Sequence, residues 1–404
     1  MPASADEVVL TGIGLVSAAG EGYPALAQAL REGRCCTRAV AGPLPVRQVA
    51  AAPPVDEDPD FPDDRKAWLA FRALELALAD AGLPARDPDR RLAVFLGTGL
   101  SSVTPGELHE DAYPFITEGR FDAGRMGSDL SRDRASPRRH LPGRVSEELA
   151  RRVDATGPVA TSFSACAASA QAIAEGLWTL RRGDADVALV GGHDSMLHPL
   201  GLLSFIVLGA LSPDTCRPFD RHRDGFVIGE AACLLVLERA EHARARGARV
   251  RARLLGAGTS VDAWNATAPH PEGAGAERAM AAALRDAGVS PAEVDYVNAH
   301  ATGTPVGDLA EARAAARLFG EAVPMSSIKG AVGHTIAAAG AIEAAACVAA
   351  LEGGFLPGTA GLRELDPDCP VPVLQQPLNR APRVVLSNSF GFGGQNASLV
   401  LARA

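Results

Sequence analysis

Short apolar segments alternate with longer helical patterns along the chain, and this alternation limits the fold more than any other feature. Residues 8–16 (VVLTGIGLV) and 93–96 predict buried strands, and Arg65–Ala81 between them predicts a helix with one wide apolar face. Strands that are apolar on both faces need helices on both sides, which predicts an α/β fold with sheets sandwiched between helices. Further strands are predicted at residues 187–190, 233–237, 294–297, 323–325 and 384–386, and further helices at 167–181, 275–287, 308–319 and 337–351.

The chain divides into two halves, and each half ends a strand at a candidate reactive residue. Cys166 follows the β-prone residues 160–165, and His300 follows the strand predicted at 294–297. Matching strand ends of this kind indicate duplicated halves that face each other, although the repeat is faint in the sequence itself. The predicted boundary lies within residues 238–249, which gives an amino-terminal half at 1–245 and a carboxyl-terminal half at 246–404.

Charge and cysteine usage argue against several classes of protein. A nucleic-acid-binding protein would present a basic face, whereas this chain has a formal net charge of −9. The 7 cysteines include no CxxC pair, which argues against a zinc ribbon or a disulfide framework and favours reduced cytosolic thiols. No metal site is predicted. The candidate ligands have a spacing that fits no common metal-binding pattern, and they are His193, His198, Cys216 and His222.

Export and membrane insertion are not expected either. Residues 1–6 are short and polar, with no basic region and no cleavage site. No window is expected to reach the roughly 18–20 apolar residues that a membrane-spanning helix needs. The sequence therefore predicts a soluble cytoplasmic protein.

Cys166 is the first candidate for chemistry. It lies in the run SFSACAASA, between a short β-prone segment and an alanine-rich helix. A cysteine at a helix N-terminus experiences the positive end of the helix dipole, which favours the thiolate form. Taken alone, however, the pattern fits a buried structural cysteine better, because cysteine packs well as a small apolar residue.

Two histidines strengthen the functional interpretation. His300 lies where an apolar strand ends in small hydroxyl residues and glycine, and His334 lies in a glycine-flanked turn before a helix. Either histidine alone would more often be a structural residue. A thiolate with two imidazoles, however, supplies a nucleophile and two N–H donors for developing negative charge, which suits acyl transfer.

The run NSFGFGGQN at residues 388–396 places Phe390 and Phe392 among glycines. One interpretation is a plain glycine-rich hairpin near the C-terminus. The functional interpretation is a backbone N–H in an oxyanion hole, with an aromatic ring that shields the nucleophile.

With these motifs in order, the chain resembles an elongating ketosynthase of the thiolase superfamily, which includes the bacterial β-ketoacyl-acyl carrier protein synthases and the polyketide ketosynthases. The resemblance runs from residues 9–14 to the final strand and includes the RPFD run at 217–220 and the DGF run at 224–226. It implies a thiolase-like layered α-β-α-β-α sandwich of two duplicated halves. It also implies an acyltransferase that condenses a cysteine-bound acyl chain with malonyl-acyl carrier protein, with loss of carbon dioxide, in fatty-acid or type II polyketide or polyene synthesis.

The resemblance also assigns residues to roles. The family's catalytic triad corresponds to Cys166, His300 and His334. A supporting pair that orients His334 corresponds to Lys329 and Glu311, and a plain structural salt bridge is the alternative interpretation of that pair. The other assigned positions are the oxyanion hole at the N–H groups of Cys166 and Phe392, the gating aromatic residues Phe392 and Phe390, the pantetheine-binding residues Thr302 and Thr304, and the moving loop at 262–267 with its unusual Trp264.

The implied partners are an acyl carrier protein and a second subunit. No bound cofactor is expected, because the substrates are carried on the phosphopantetheine of the carrier protein. The second subunit is either another copy of the chain or a chain-length-factor subunit, and neither nucleic acid nor membrane is expected to bind. Carrier proteins are acidic, so the candidate docking residues are basic, although scattered solvated charges are an equal alternative. They are Arg65, Lys66 and Arg72, with Arg132, Arg134, Arg138 and Arg139 in the irregular excursion at 101–142.

Three departures from the family pattern favour a specialised polyketide or polyene pathway. Residues 202–208 (LLSFIVL) are bulkier and more apolar than usual and could line a dimer interface or a pocket. Gly209 replaces a frequent arginine, and Ala231 replaces a glycine. The alternatives are a non-condensing chain-length-factor-like subunit, an acyl-binding module and a hydrolase. The presence of Cys166 with both histidines favours the condensing enzyme, and the absence of a second cysteine near the C-terminus excludes a thiolase.

Overall fold

The computed structural model describes residues 7–42, 44–87, 89–99, 113–129 and 140–404. Its strands are β1 (Val8–Ser17), β2 (Gly20–Glu21), β3 (Arg38–Ala39), β4 (Gln48–Val49), β5 (Leu92–Thr98), β6 (Ile116–Thr117), β7 (Arg120–Phe121), β8 (Val159–Ser162), β9 (Val187–Ser195), β10 (Glu230–Arg239), β11 (Ala252–Val261), β12 (Tyr296–Asn298), β13 (Met325–Ser326), β14 (Val384–Gly391) and β15 (Gln395–Arg403).

Its helices are α1 (Tyr23–Arg31), α2 (Arg65–Ala81), α3 (Ala123–Ser128), α4 (Arg144–Arg152), α5 (Ala168–Arg181), α6 (Pro199–Val207), α7 (Ala240–Ala245), α8 (Ala274–Ala287), α9 (Pro305–Phe319), α10 (Lys329–Val332) and α11 (Ala339–Gly353). Short 3₁₀ turns precede α5 and α11, at Ala165–Ala167 and Ile336–Ala338.

Within the described parts of the chain, one 11-stranded sheet has the order β13-β12-β14-β15-β11-β1-β10-β9-β5-β8, and β2 pairs with β1. On the amino-terminal side, β5 pairs in parallel with β8 and β9, and β9, β10 and β1 continue as antiparallel neighbours. On the carboxyl-terminal side, β12, β13, β14, β15 and β11 repeat this pattern. The two sides meet where β1 pairs with β11. The strand order therefore shows the duplication that is faint in the sequence.

Helices cover both faces of each side of the sheet. Helices α5 and α11 pack against each other and against strands of both sides, so they form the central layer. Helix α2 covers β1, β10 and β9 from outside, and α8 covers β11, β15 and β14, with α9 packed against α8. The predicted layered α-β-α-β-α sandwich is confirmed. The domain boundary at 245 stays a prediction.

Glycines bring the outer helices close to the sheet in the same way in each half. A Cβ on Gly14 would lie 2.0 Å from the Ala73 carbonyl oxygen of α2, and a Cβ on Gly258 would lie 2.3 Å from the Ala283 nitrogen of α8. Only a residue without a side chain permits such close packing. The glycines of the opening strand thus fix the distance between helix and sheet.

Most predicted elements are present, with shifted ends. Helix α2 has the predicted bounds, because the Asp64 carboxylate accepts from the Ala67 N–H at its start and Gly82 takes the left-handed conformation at its end. Strand β12 begins two residues later than predicted, since Val294 ends the 3₁₀ turn Pro291–Glu293.

The expectation that no segment is long and apolar enough to span a membrane was wrong. Residues Ile336–Gly353 meet that requirement with a mean hydropathy of 1.5. However, 89% of this stretch is buried inside the protein, because it contains α11 of the central layer. Burial between two layers of strands accounts for its composition.

Candidate active site

Cys166 lies in the 3₁₀ turn between β8 and α5, and it is buried. Ala165 before it has φ 48°, a left-handed conformation that turns the chain sharply from strand to helix. The Cys166 Sγ lies 3.1 Å from His334 Nε2, and the Phe392 N–H donates a hydrogen bond to the sulfur. The turn thus presents the sulfur to a base and to a backbone donor together.

The expected thiolate is not the resting form of Cys166. Burial raises the pKa of Cys166 to about 12, although the Lys329 charge and the Phe392 N–H act in the opposite direction. Desolvation of a buried anion outweighs a helix N-terminus here. Nucleophilic attack therefore needs a group that takes the thiol proton, and His334 is in contact with the sulfur.

His300 is held at the end of β12 through its backbone. The N–H groups of His300 and Ala301 donate to the two Glu311 carboxylate oxygens at 2.9 and 2.8 Å. The His300 Nδ1 lies 3.3 Å from Lys329 Nζ. Burial first, and then the Lys329 charge, lower the pKa of His300 well below its ordinary value. The imidazole is therefore neutral at pH 7 and carries a single N–H.

His334 lies in the loop after α10. Its backbone N–H donates to the Val227 carbonyl at 2.8 Å, and its ring packs edge-to-face on Phe226 with centroids 4.9 Å apart. The His334 and His300 ring centroids are 5.4 Å apart at an angle of 81°. Burial and Lys329 also lower the pKa of His334 well below its ordinary value, so two neutral imidazoles face the sulfur.

The predicted pairing of Lys329 with Glu311 was wrong. Lys329 Nζ forms its ion pair with Glu343 of the central helix α11, and both side chains are buried. The position of Lys329 also differs from the prediction, since its ammonium contacts His300 and not His334. Burial raises the pKa of Glu311 to about 7, against hydrogen bonds from Asn388 and the His300 and Ala301 N–H groups. Glu311 thus accepts hydrogen bonds from the backbone that follows β12, and it does not form the ion pair with Lys329.

Sequence reasoning missed Glu343 and Phe226 as members of the site. Glu343 is the one charged residue in the first ten positions of α11. A single acidic residue in an otherwise apolar buried helix indicates that it has a charged or hydrogen-bonding partner, and this signal could have identified Glu343. Ser389 Oγ also donates to Glu343 Oε2 at 3.2 Å. Phe226 was noted only within its DGF run, and nothing local indicates that its ring meets His334.

A cavity of about 310 Å³ leads to the three residues. Cys166, His300 and His334 line it together with Thr302 and Thr304. The Thr302 and Thr304 hydroxyl oxygens are 3.0 Å apart. Their position in this cavity fits the predicted pantetheine contacts, which stay a prediction.

The predicted gating segment borders the same cavity. Phe390 and Phe392 both line it, and the Phe390 ring centroid lies 6.0 Å from that of His300. The Gly393 N–H donates to the Ala266 carbonyl at 2.8 Å, and the Asp262 N–H donates to the Gly394 carbonyl at 2.9 Å. The two loops that the resemblance couples are therefore hydrogen-bonded to each other.

The triad also meets the distance requirement of a metal site. The ligand atoms of Cys166, His300 and His334 all lie within 4.8 Å of one another. A metal ion there would lie beside the Lys329 ammonium, an unfavourable neighbour for a cation. The expectation of no metal stays a prediction.

The three predicted carrier-docking residues that the structure describes are either buried or paired with carboxylates. Lys66 is 7% exposed, so burial removes it from any docking surface and that assignment was wrong. Arg65 makes a bidentate ion pair with Glu230 at 2.8 and 2.6 Å, and Arg72 is paired with two carboxylates at 2.6 Å. The remaining candidates, Arg132, Arg134, Arg138 and Arg139, lie outside the described residues.

Comparisons with known proteins found family models, relatives and a solved structure to which this chain is similar. Family models match residues 5–243 (Beta-ketoacyl synthase, N-terminal domain) and 251–363 (Beta-ketoacyl synthase, C-terminal domain). A putative polyketide beta-ketoacyl synthase 1 of Streptomyces cyaneus is 36% identical over 419 residues, covering 98% of this chain and 97% of the relative. The 3-oxoacyl-(acyl-carrier-protein) synthase 2 of Rhizobium meliloti (strain 1021) is 36% identical over 431 residues, 98% of each chain. The solved ishigamide ketosynthase/chain length factor has a TM-score of 0.87 at 35% identity, covering 98% of this chain and 99% of that chain.

Proposed function

The chain belongs to the β-ketoacyl synthase family, and we propose that Cys166, His300 and His334 carry out the family's condensation in this cavity. A β-ketoacyl synthase is an acyltransferase that joins a cysteine-bound acyl chain to a malonyl group held on an acyl carrier protein. The observation that carries the proposal is the double contact of Cys166 Sγ, with His334 Nε2 at 3.1 Å and with the Phe392 N–H. A cysteine buried for packing alone would have apolar neighbours.

In the first stage the acyl group moves to the cysteine. His334 Nε2 takes the thiol proton of Cys166 as the sulfur attacks the thioester carbonyl carbon of the donor. The oxyanion that forms accepts hydrogen bonds from the N–H groups of Cys166 and Phe392. The intermediate then collapses, the bond to the pantetheine sulfur breaks, and His334 returns the proton to the departing thiol.

In the second stage the malonyl thioester loses carbon dioxide. The electron pair of the broken carbon–carbon bond passes to the α-carbon, and the enolate oxygen accepts N–H hydrogen bonds from His300 and His334. Both imidazoles are neutral because burial lowers their pKa values, so each has one N–H to donate. His300 donates from Nε2. His334 donates from Nε2 after its single proton shifts there from Nδ1 through water, because the first stage leaves Nε2 without a proton. The α-carbon attacks the acyl-Cys166 carbonyl, the carbon–sulfur bond breaks, and the thiolate of Cys166 takes a proton from water.

Lys329 and Glu343 act through His300. The ammonium lies 3.3 Å from His300 Nδ1, so it donates a hydrogen bond there and leaves the proton of the neutral ring on Nε2. Glu343 compensates the buried positive charge. These two residues are positioning residues for the donor at Nε2.

Intact-mass analysis tests the proposal. The protein is mixed with acyl carrier proteins loaded with short, long or unsaturated acyl groups, and a gain of one acyl mass is expected. The gain should vanish in Cys166→Ala and persist in Cys35→Ser, a matched variant of an exposed free cysteine. Addition of malonyl carrier protein should then discharge the acyl group as a β-ketoacyl product. A gain that survives in Cys166→Ala would refute the assignment of the nucleophile.

A second ketosynthase-fold subunit is proposed at strand β8. Among the described residues β8 pairs on one side alone, with β5, and it ends at the turn that carries Cys166. Val159 at its start and Phe163 just after it are exposed apolar residues. Pairing of this edge with another chain would cover them. The related ishigamide enzyme is a ketosynthase with a chain length factor. Sedimentation of the chain alone, and with a co-expressed chain-length-factor subunit, separates a homodimer from a heterodimer.

The non-condensing alternative has a distinct signature. A chain-length-factor-like subunit would show no mass gain with any donor and no loss of carbon dioxide from malonyl carrier protein. The complete set of Cys166, His300 and His334 around one cavity favours the condensing enzyme. The apolar helix α6 and Gly209 support a type II polyketide or polyene pathway over ordinary fatty-acid synthesis. The cytoplasmic location stays a prediction that cell fractionation tests.

A further inference from the structure

Four exposed apolar side chains either line the active-site cavity, as Leu208 and Val306 do, or belong to segments that line it, as Val207 does beside Leu208 and Trp264 does between Asp262 and Thr267. Val207 is 78% exposed, Leu208 50%, Trp264 58% and Val306 52%. These four residues, here called the apolar collar, come from the end of α6, the loop at 262–267 and the start of α9. Exposed apolar residues grouped at one opening indicate a surface that another molecule covers.

The collar is continuous with the passage to the nucleophile. Leu208 and Val306 belong to both, because they also line the cavity that ends at Cys166. Gly209 follows directly, and a Cβ there would meet no atom within 4 Å, so this part of the rim is open. A substrate that reaches Cys166 through this cavity therefore passes Leu208 and Val306.

The charged groups near the opening leave little free positive charge in the described residues. Arg217 pairs with Asp224 at 3.3 Å, and Arg313 pairs with Glu272 at 3.5 Å. Arg278 is not paired with a carboxylate in this region, but it donates to the Val261 carbonyl at 2.9 Å. An acidic partner would therefore find more apolar surface than cationic surface at this rim.

We propose that the acyl carrier protein docks on Val207, Leu208, Trp264 and Val306 mainly by apolar contact, with weak dependence on salt. The proposal rests on the proposed function and specifies the partner surface for the same site. The carrier it selects presents an exposed apolar face beside its pantetheine attachment serine. Pantetheine attachment close to that face would bring the apolar surfaces together as the arm enters.

The test compares two acyl donors and two variants. The donors are the carrier protein that acylates Cys166 in the mass assay and hexanoyl-pantetheine, which lacks the carrier. The variant Val207→Ser should raise KM for the carrier donor about fivefold, the loss expected for a small apolar anchor, and Val207 is not among the residues that line the cavity to Cys166. KM for hexanoyl-pantetheine should not change. Leu203→Ser is the matched control, because Leu203 is 47% exposed on the same helix but lines a different groove with Val40 and Val49.

Salt dependence gives a second, independent readout. Raising salt from about 0.1 M to about 1 M shortens the Debye length from about 10 Å to about 3 Å. KM for the carrier donor should change less than about threefold over this range, since apolar contact is not screened by salt. The variant Arg278→Ala should likewise leave KM for the carrier donor within about twofold of the wild type, a difference below 0.5 kcal/mol.

Several outcomes would overturn the proposal. A carrier KM that is unchanged in Val207→Ser, or that rises steeply with salt, would refute apolar docking while acylation by hexanoyl-pantetheine left the proposed function intact. Equal losses with both donors would place Val207 in the substrate passage and refute its role in docking. Binding of the wild type, but not the variant, to phosphatidylcholine–phosphatidylglycerol vesicles would assign the collar to a membrane. Absence of acylation by either donor would refute the proposed function, and the docking proposal with it.

Discussion

The two halves of the molecule build the same turn and use it differently. In the amino-terminal half a 3₁₀ turn opens at Ala165 and leads into α5. In the carboxyl-terminal half it opens at Ile336 and leads into α11, and both opening residues have φ 48°. The second residue of the turn is Cys166 in one half and Ala337 in the other. Duplication thus preserved a backbone conformation while the side chains took different roles.

The difference extends to the anion that each turn binds. In the carboxyl-terminal turn the Asp194 carboxylate accepts from the Ala337 N–H at 3.2 Å, so the protein supplies its own anion. The equivalent N–H in the amino-terminal turn belongs to Cys166, which is the proposed donor to the substrate oxyanion. Backbone N–H groups at a helix start favour negative charge in both places. The Asp194 carboxylate therefore occupies the carboxyl-terminal turn, whereas the Cys166 N–H of the amino-terminal turn is available to the substrate oxyanion.

Breaking the ion pair between Lys329 and Glu343 in the carboxyl-terminal half should give the largest effect, because both side chains are almost fully excluded from solvent. Lys329→Met leaves Glu343 unpaired and should reduce the free energy of unfolding by about 3–5 kcal/mol. Lys329→Met/Glu343→Met removes both charges and should recover most of that loss. Denaturant unfolding of the two variants measures the difference. Equal stability of the single and double variants would show that the pair does not bear on folding.

Lowering the pH should reduce the free energy of unfolding through Glu238, which lies where the two halves join. Burial alone would raise the pKa of Glu238, but hydrogen bonds from Arg246, His242 and Thr11 outweigh it and lower the pKa to about 2. Because the folded pKa lies below the ordinary value of 4.5, the stabilisation is complete above about pH 4.5 and is lost as pH falls towards 2. The loss should approach about 3 kcal/mol. Unfolding free energies measured at several pH values check this expectation.

The variant Glu238→Gln controls that experiment. It should be less stable than the wild type at pH 7 and should lose less stability on acidification. An identical pH dependence in this variant would assign the acid sensitivity to other carboxylates.

Removing the anion from the carboxyl-terminal turn should have the smallest effect of the three. Asp194→Ala leaves the N–H groups of buried Ala337 and half-buried Ser195 without the Asp194 acceptor and should cost about 1–3 kcal/mol. Asp194→Asn keeps an acceptor oxygen and should cost less. Thermal unfolding ranks the three proteins, and equal Tm values for Ala and Asn would contradict the role given to the carboxylate. Burial raises the pKa of Asp194 to about 6, so the measurement belongs above pH 7.

Sequence patterns predicted the alternating strands and helices, and the family resemblance predicted the layered sandwich and the cluster of Cys166, His300 and His334, which line one cavity in the structure. Buried strands are apolar on both faces, and glycine marks the places where backbone packs closely, as at Gly14. Cys166, His300 and His334 stand at strand and turn ends, where functional side chains are exposed to a cavity. The pairing of Lys329 was predicted wrongly, because Glu311 and Glu343 are both acidic residues on helices and local sequence does not show which of them lies closer to Lys329.

By itself, the sequence determined which segments form strands and helices, because these follow from periodicity, and its motifs identified the candidate reactive residues through their resemblance to a known family. Only the tertiary structure decided that Glu343 binds Lys329, that burial keeps Cys166 protonated, and that Lys66 is inaccessible. Each of these depends on distances and solvent exclusion between segments far apart in the chain. Desolvation in particular is a property of the surrounding atoms and not of the residue, so no local pattern can reveal it.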